Sequence, residues 1–122
     1  MNEKKEKIYD IRERTFKFAL RIIKIVSRLP RNREGSELAK QIIRSGTSVG
    51  ANIEEAMGSR TKKEFTNCMN IAKRESRETR YWLRLIMSSD LLNDSETKSL
   101  LEENEEILKV LTSIVKTSEK NL

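Results

Sequence analysis

Apolar residues recur along this chain at alternating steps of three and four, the period of an amphipathic helix, in four separate blocks. In the first, Ile8, Ile11, Thr15, Ala19, Ile22, Val26 and Leu29 draw one stripe, widened by Phe16, Phe18, Ile23 and Ile25. The pattern predicts a helix over about residues 8–29, ended by Pro30, which pushes the preceding residue out of helical geometry. Residues 1–7 read as a charged, frayed end. In the second block, Ala39, Ile42, Gly46, Val49, Ile53 and Ala56 form a narrow stripe of small residues where a surface helix normally carries Leu. Gly46 and Gly50 each cost roughly 1 kcal/mol against Ala inside a helix. Such a cost is tolerated where another backbone must come close, so this helix, about 36–58, is expected to be the inner one. Ser36 is its expected N-cap, with Asn32 as an earlier alternative.

Gly58 is placed to end the second helix in left-handed geometry, and Thr61-Lys62-Lys63-Glu64 has the form of a capping box that starts the third. So short a turn makes these two helices antiparallel neighbours. The third, about 62–88, carries a core stripe of Phe65, Met69, Ala72, Ser76, Thr79, Leu83 and Ile86. A quarter-turn away lie Cys68, Ile71, Glu75, Glu78, Trp82 and Leu85, so the apolar arc is wider than one buried face requires. The fourth helix, about 94–117, opens at Asn93 with Glu96 three residues on. Its stripe is Leu100, Leu101, Asn104, Ile107, Leu108, Leu111, Ile114 and Val115. Asn104 there either fixes the register of packing or sits at the rim. The expected architecture is one all-α domain over residues 1–122, an antiparallel up-down-up-down four-helix bundle.

Charge changes the picture by its distribution. The chain carries 25 Lys and Arg against 19 Asp and Glu, a net +6. Seven acids against four lysines leave residues 93–122 at −3, so residues 1–92 hold +9. Arg14, Lys17, Arg21, Lys24 and Arg28 repeat at helical spacing on the first helix, opposite its apolar stripe. On the third, Lys62, Thr66, Lys73, Arg77, Arg80 and Arg84 form an almost purely basic line. Ridges of this kind either face solvent or meet the phosphates of a nucleic acid. Trp82, with Ile71, Glu75 and Glu78 on the same flank, either belongs to a broad core or meets a second subunit; tryptophan enrichment at interfaces favours the subunit.

The residue inventory excludes much chemistry. The chain has no His and a single cysteine, Cys68, so neither an internal disulfide, a Cys/His zinc site nor a Ser-His-Asp triad can form within one chain. Gly46-Thr47-Ser48-Val49-Gly50 lacks the ending of a phosphate loop and falls inside a helical period. Glu54, Glu55, Glu64, Glu75 and Glu78 are the conceivable hard-metal donors, with ion pairing or solvation as the ordinary alternative. No enzyme mechanism, cofactor or small-molecule substrate is expected. The charged start and the lack of long apolar runs point to the cytoplasm and away from a membrane.

One further pattern spans about residues 15–115: Leu29-Pro30, Leu38, Gln41, Arg44-Ser45, Ser48-Val49, Asn52-Ile53, Glu55, Gly58, Lys62-Lys63-Glu64-Phe65, Ile71-Ala72 and Glu78-Thr79-Arg80-Tyr81-Trp82-Leu83. In these residues the chain resembles the bacterial four-helix-bundle proteins related to those encoded by intervening sequences of 23S ribosomal RNA genes. It departs from them at Asn52-Ile53-Glu54-Glu55-Ala56, at Ser59-Arg60 and at Arg74-Glu75, where the family favours Ala-Glu-Gly after Asn-Ile, an Arg after the turn glycine, and a Gly-Ser pair. The resemblance implies the same bundle, a ring-like homo-oligomer (a pentamer), and an association with RNA or an accessory role beside a reverse transcriptase. The function expected is therefore a non-enzymatic oligomeric bundle that binds structured RNA or DNA, RNA ahead of DNA. Arg14, Lys17, Arg21, Lys24, Arg28, Lys73, Arg77, Arg80 and Arg84 would face phosphates, and Ile71, Glu75, Glu78 and Trp82 would join subunits. The alternative is a protein-interaction scaffold with no direct nucleic-acid role.

Overall fold

The four stripes turn inward in a computed structural model that describes residues 3–122, with side chains at 6, 8 and from 10 onward. The helices are α1 (Glu3–Val26), α2 (Arg33–Met57), α3 (Lys62–Ser88) and α4 (Ser95–Lys120). Each packs against its two neighbours in the cycle α1–α2–α3–α4, and among the described residues neither diagonal pair makes close backbone contact. That is an up-down-up-down four-helix bundle, the arrangement that short connections impose. The α2–α3 seam is the most extensive, so the small-residue helix does lie against close neighbours.

Glycine sets two of those approaches. A β-carbon at Gly46 would stand 3.0 Å from the Ile22 side chain, and one at Gly50 would stand 3.3 Å from Thr15 Oγ1. Ile11, Phe18, Ile22, Ile42, Ile53, Met69, Leu83, Ile86, Leu100, Ile107 and Leu111 fill the interior with no more than 1% of their surface exposed. The core also holds polar side chains, all partnered among the described residues. Asn104 is fully buried; its Nδ2 donates to the Ser76 carbonyl at 2.9 Å and its Oδ1 accepts from Ser76 Oγ at 2.9 Å. Asn104 therefore locks α4 against α3 in one register and is not a rim residue. Thr79 Oγ1 donates to Ser45 Oγ at 2.9 Å across the α2–α3 seam, and Thr66 and Ser118 share a hydroxyl bond between α3 and α4.

Several helix ends differ from the expectation, each for a local reason. Helix α1 begins at Glu3, and Met1 and Asn2 of the expected frayed end lie outside the described residues. It stops at Val26, because the next turn tightens to bonds three residues back, Arg28 N to Ile25 O at 3.0 Å and Leu29 N to Val26 O at 3.1 Å. The α2 cap is Asn32, not Ser36: its side chain accepts from Gly35 N at 2.8 Å and brings Gly35 into the first turn. Gly58 keeps φ −89°, so it does not use left-handed geometry. Asp90 (φ 61°), in the α3–α4 connection, is the left-handed residue among those described. Thr61 caps α3 as expected, accepting from Glu64 N at 3.0 Å, while Glu64 reaches back to Arg60 N at 3.0 Å. Asp94, not Asn93, caps α4, accepting from Thr97 N at 2.9 Å and Thr97 Oγ1 at 2.8 Å.

Candidate nucleic-acid interface

The cationic ridge of α1 follows the edge that meets α4, and α4 answers it with acids. Arg14 grips Glu103 with two parallel bonds, Nε to Oε2 at 2.7 Å and Nη2 to Oε1 at 2.8 Å. Glu103 holds the Arg14 guanidinium still more firmly protonated, and partial burial opposes that only in part. Arg21 donates to Glu96 at 2.9 Å and to Ser99 Oγ at 2.9 Å. Arg28 pairs with Asp94. The Asp94 carboxyl sits below its ordinary pKa, first because the Thr97 backbone amide donates to it and then through the Thr97 hydroxyl and Arg28. Surface pairs of this kind contribute little to stability, and the partly buried Arg14–Glu103 pair is worth on the order of 1 kcal/mol. Their larger effect is that three of the five ridge cations, Arg14, Arg21 and Arg28, already hold a carboxylate. Lys17 and Lys24 have no acidic partner among the described residues.

Helix α3 is different. Arg80 lies 3.6 Å from Glu105, but Lys73, Arg77 and Arg84 meet no acid among the described residues. The basic line expected through Thr66 needs correction: Thr66 is buried, its hydroxyl donating to Lys62 O at 2.8 Å and meeting Ser118. The exposed ridge runs beside it, through Lys63, Asn67, Asn70, Arg74, Arg77, Tyr81, Arg84 and Ser88. Every member is exposed and none is acidic. At 1.5 Å per residue it extends for about 38 Å. Lys63, Asn67, Asn70, Arg74 and Tyr81 were not among the phosphate-facing residues expected from the sequence. Their signal was available, as an unbroken four-three repeat without an Asp or Glu on the side opposite Met69, Ala72 and Leu83.

The two cation sets do not come together. Helices α1 and α3 are diagonal in the bundle, and α4 lies between them with Glu102, Glu103, Glu105 and Glu106. A single phosphate backbone touching both ridges would have to cross those carboxylates.

The flank of α3 that carries Ile71, Glu75, Glu78 and Trp82 faces α2, and all four residues are half-buried. Arg44 of α2 bridges both acids, with Nη1 3.2 Å from Glu75 Oε2 and Nη2 on Glu78. Arg44 is the main cause of a lowered Glu78 pKa, with Trp82 Nε1 donating to the same carboxylate at 3.2 Å. Trp82 packs against the core and holds Tyr81 edge-on, ring centres 5.2 Å apart at 70°. Exposed large apolar side chains of α1 and α2 lie elsewhere: Phe16 (60%), Leu20 (48%) and Ile23 (51%) on α1, and Ile43 and Met57 (38% each) on α2. The Arg12–Glu54 pair at 2.7 Å and the Thr15–Gly50 approach fix the α1–α2 register, which places Ile23 alongside Ile43.

The candidate metal donors do not converge. Glu54 pairs with Arg12, Glu64 caps α3 and Glu75 and Glu78 hold Arg44. Among the described residues no group of three or more Cys, Asp or Glu gathers, and no helix is long and apolar enough to cross a membrane.

Comparison with known proteins agrees with the architecture. The family model described as 23S rRNA-intervening sequence protein matches residues 7–113. A crystal structure at 1.70 Å of a protein of unknown function from the S23 ribosomal protein family of Bacteroides thetaiotaomicron VPI-5482 is 36% identical, with a TM-score of 0.84 over 90% of this chain and 98% of that one. No curated protein matches. With the family pattern spread over nearly the whole bundle and a relative of the same shape, the chain belongs to the 23S rRNA-intervening sequence protein family.

Proposed function

We propose that this protein is a non-enzymatic, homo-oligomeric bundle that binds structured RNA, ahead of DNA, through the basic outer face of α3. The observation that carries this is the acid-free ridge with Arg74, Arg77 and Arg84 left without carboxylate partners among the described residues. Unpaired guanidinium groups in a row attract phosphates, and phosphate contacts supply affinity that falls with salt. Lys17 and Lys24 are the members of the α1 ridge left to add to that field, whereas Arg14, Arg21 and Arg28 serve the α1–α4 seam. That chemistry suits the ribosomal-RNA or reverse-transcriptase setting that the family resemblance implies.

A salt titration of binding to a labelled stem-loop RNA tests it. Neutralising Arg74, Arg77 and Arg84 to Gln is expected to lower the slope of log K against log salt by about 0.7–0.9 per lost contact. Neutralising Arg14, Arg21 and Arg28 is expected to leave the slope nearly unchanged. Absence of binding at low salt, or binding indifferent to salt, contradicts the proposal.

Self-association, in a pentamer or another ring, is the second part of the proposal. The exposed row Phe16, Leu20, Ile23 and Ile43 supports it, because a contiguous apolar face on a surface helix is a feature of interaction sites. The same face supports the scaffold reading, in which a different protein occupies it.

A further inference from the structure

We infer that Tyr81 is a stacking platform for an unpaired RNA base, so that α3 takes looped or single-stranded nucleotides and not a continuous duplex. The inference rests on the proposed nucleic-acid reading of α3 and assigns its ligand class.

Tyr81 is 55% exposed although its ring has an apolar face to hide. It is not a loose surface residue: Trp82, itself packed on the core, meets it edge-on at 5.2 Å. In a T-shaped contact at least one face of the Tyr81 ring stays free for a second aromatic partner. Arg77 stands one turn before it and Arg84 one turn after, both exposed and without acidic partners among the described residues. Arg74 continues the same line, and Asn67 and Asn70 bring amide donors and acceptors beyond it. An exposed aromatic face between guanidinium groups is the arrangement in which bases stack while phosphates are held on either side.

The shape selects against a duplex. Tyr81 sits on the crest of a long helix whose flanks are covered by α2 and α4, so the ring stands at the bundle surface. In an A-form duplex the base faces are stacked inside and the major groove is deep and narrow. A ring on a broad bundle reaches only bases that have left the stack. Charge complementarity commits the surface to a polyanion, and the aromatic ring commits it to one carrying accessible bases.

The test compares three probes on the intact protein at one salt concentration: a single-stranded RNA oligonucleotide, a duplex RNA of the same length, and inorganic polyphosphate, which carries charge without bases. Tyr81→Ala is expected to weaken single-strand binding by about 5- to 150-fold, the range of one lost base–aromatic stack, and to leave duplex and polyphosphate binding within about twofold. Tyr81→Phe keeps the ring and is expected to retain wild-type affinity. Circular dichroism at 222 nm checks that both variants hold the helical fold. Equal loss on all three probes, no loss on the single strand, or failure of Tyr81→Phe to retain binding overturns the inference while leaving the phosphate-binding ridge standing. Failure of the wild-type protein to bind any of the three removes the nucleic-acid reading itself.

Discussion

Three glycines of α2 face three different obstacles, and alanine at each gives a graded test of the packing. A helix interior favours Ala over Gly by about 1 kcal/mol, so propensity alone would make each substitution stabilising. At Gly50 the new carbon would meet Thr15 Oγ1 at 3.3 Å, slightly tighter than ordinary contact, and the Thr15 backbone at 3.5 Å. Thr15 is buried and its hydroxyl is bonded to Ile11 O, so the small steric cost roughly offsets the propensity gain and Gly50→Ala is expected to lie within about 1 kcal/mol of neutral. At Gly46 it would meet Ile22 Cγ1 at 3.0 Å and Cγ2 at 3.1 Å. Ile22 is fully buried and branched at the β-carbon, so it has no cheap rotamer to retreat to. Overpacking of this kind costs about 1–3 kcal/mol, which after the propensity gain leaves Gly46→Ala destabilised by about 0–2 kcal/mol. At Gly35 the obstacle is the Pro30 carbonyl oxygen, 2.1 Å away. Backbone cannot rotate aside, so the 30–32 loop must move and the Asn32 cap is strained or lost. Cap loss of about 1 kcal/mol added to the steric cost, less the propensity gain, places Gly35→Ala at about 1–3 kcal/mol destabilised.

Urea unfolding followed at 222 nm reads the series directly, provided the slope is unchanged between variants. The informative cross-check is a double-mutant cycle of Gly46→Ala with Ile22→Ala. Ile22→Ala alone is expected to cost about 2–5 kcal/mol through its cavity, and the pair is expected to cost less than the sum because the alanine at 46 partly fills that space. The packing argument fails if Gly46→Ala is as stable as Gly50→Ala, if the cycle shows no coupling, or if Gly35→Ala is tolerated.

Asn104→Ala is expected to destabilise the fold by about 1–3 kcal/mol, since Ser76 is left with an unmatched hydroxyl in the core, and Asn104→Leu combined with Ser76→Ala is expected to recover most of that loss in the same urea assay. Glu78 and Asp94 have folded pKa values lowered from 4.5 and 3.8, so each contributes stability that is complete above those values and is lost as pH falls through the lower folded ones. The urea midpoint is thus expected to fall below about pH 5. Arg44→Met should remove the Glu78 part of that slope and spare the Asp94 part, which rests first on the Thr97 amide. Replacing Phe16 and Ile23 together with Ser is expected to lower the mass measured by light scattering if self-association uses the α1–α2 face, without loss of helix content; replacing Trp82 tests the α3 flank in the same way.

The sequence carried the fold because each helix has its own period and punctuation. The Thr61 box, the α3 boundaries and the core positions Ile22, Ile53, Leu83 and Ile107 follow from side-chain spacing, which the structure reproduces. The helix ends moved where two caps competed. Asn32 lies nearer than Ser36 to the turn after Pro30, and Asp94 has two Thr97 donors where Asn93 has none. The candidate interface was less legible for a physical reason. Periodicity tells which residues share a face of one helix; it does not tell what the next helix sets against that face. The acids of α4 were visible in the sequence, but their opposition to Arg14, Arg21 and Arg28 is a property of the packing.

That opposition has a consequence for how binding and assembly would coexist. Helix α3 is diagonal to α1, so a subunit contact built on Phe16, Leu20 and Ile23 lies on the far side of the bundle from the ridge through Arg74, Arg77, Tyr81 and Arg84. A contact built on the Trp82 flank would instead fall beside that ridge and crowd it. Assembly through α1 and α2 leaves each copy of α3 outward and repeated, and weak phosphate contacts repeated on one RNA add up to avidity beyond that of any single copy. The two faces are therefore separable by mutation. Phe16 and Ile23 changes that dissociate the particle should weaken RNA binding by lost avidity while leaving the per-subunit affinity for a short oligonucleotide intact, whereas Arg77 and Arg84 changes should reduce that short-oligonucleotide affinity in an assembly of unchanged mass. If dissociation and loss of short-oligonucleotide binding always occur together, the two surfaces are one, and the diagonal arrangement of α1 and α3 does not govern function.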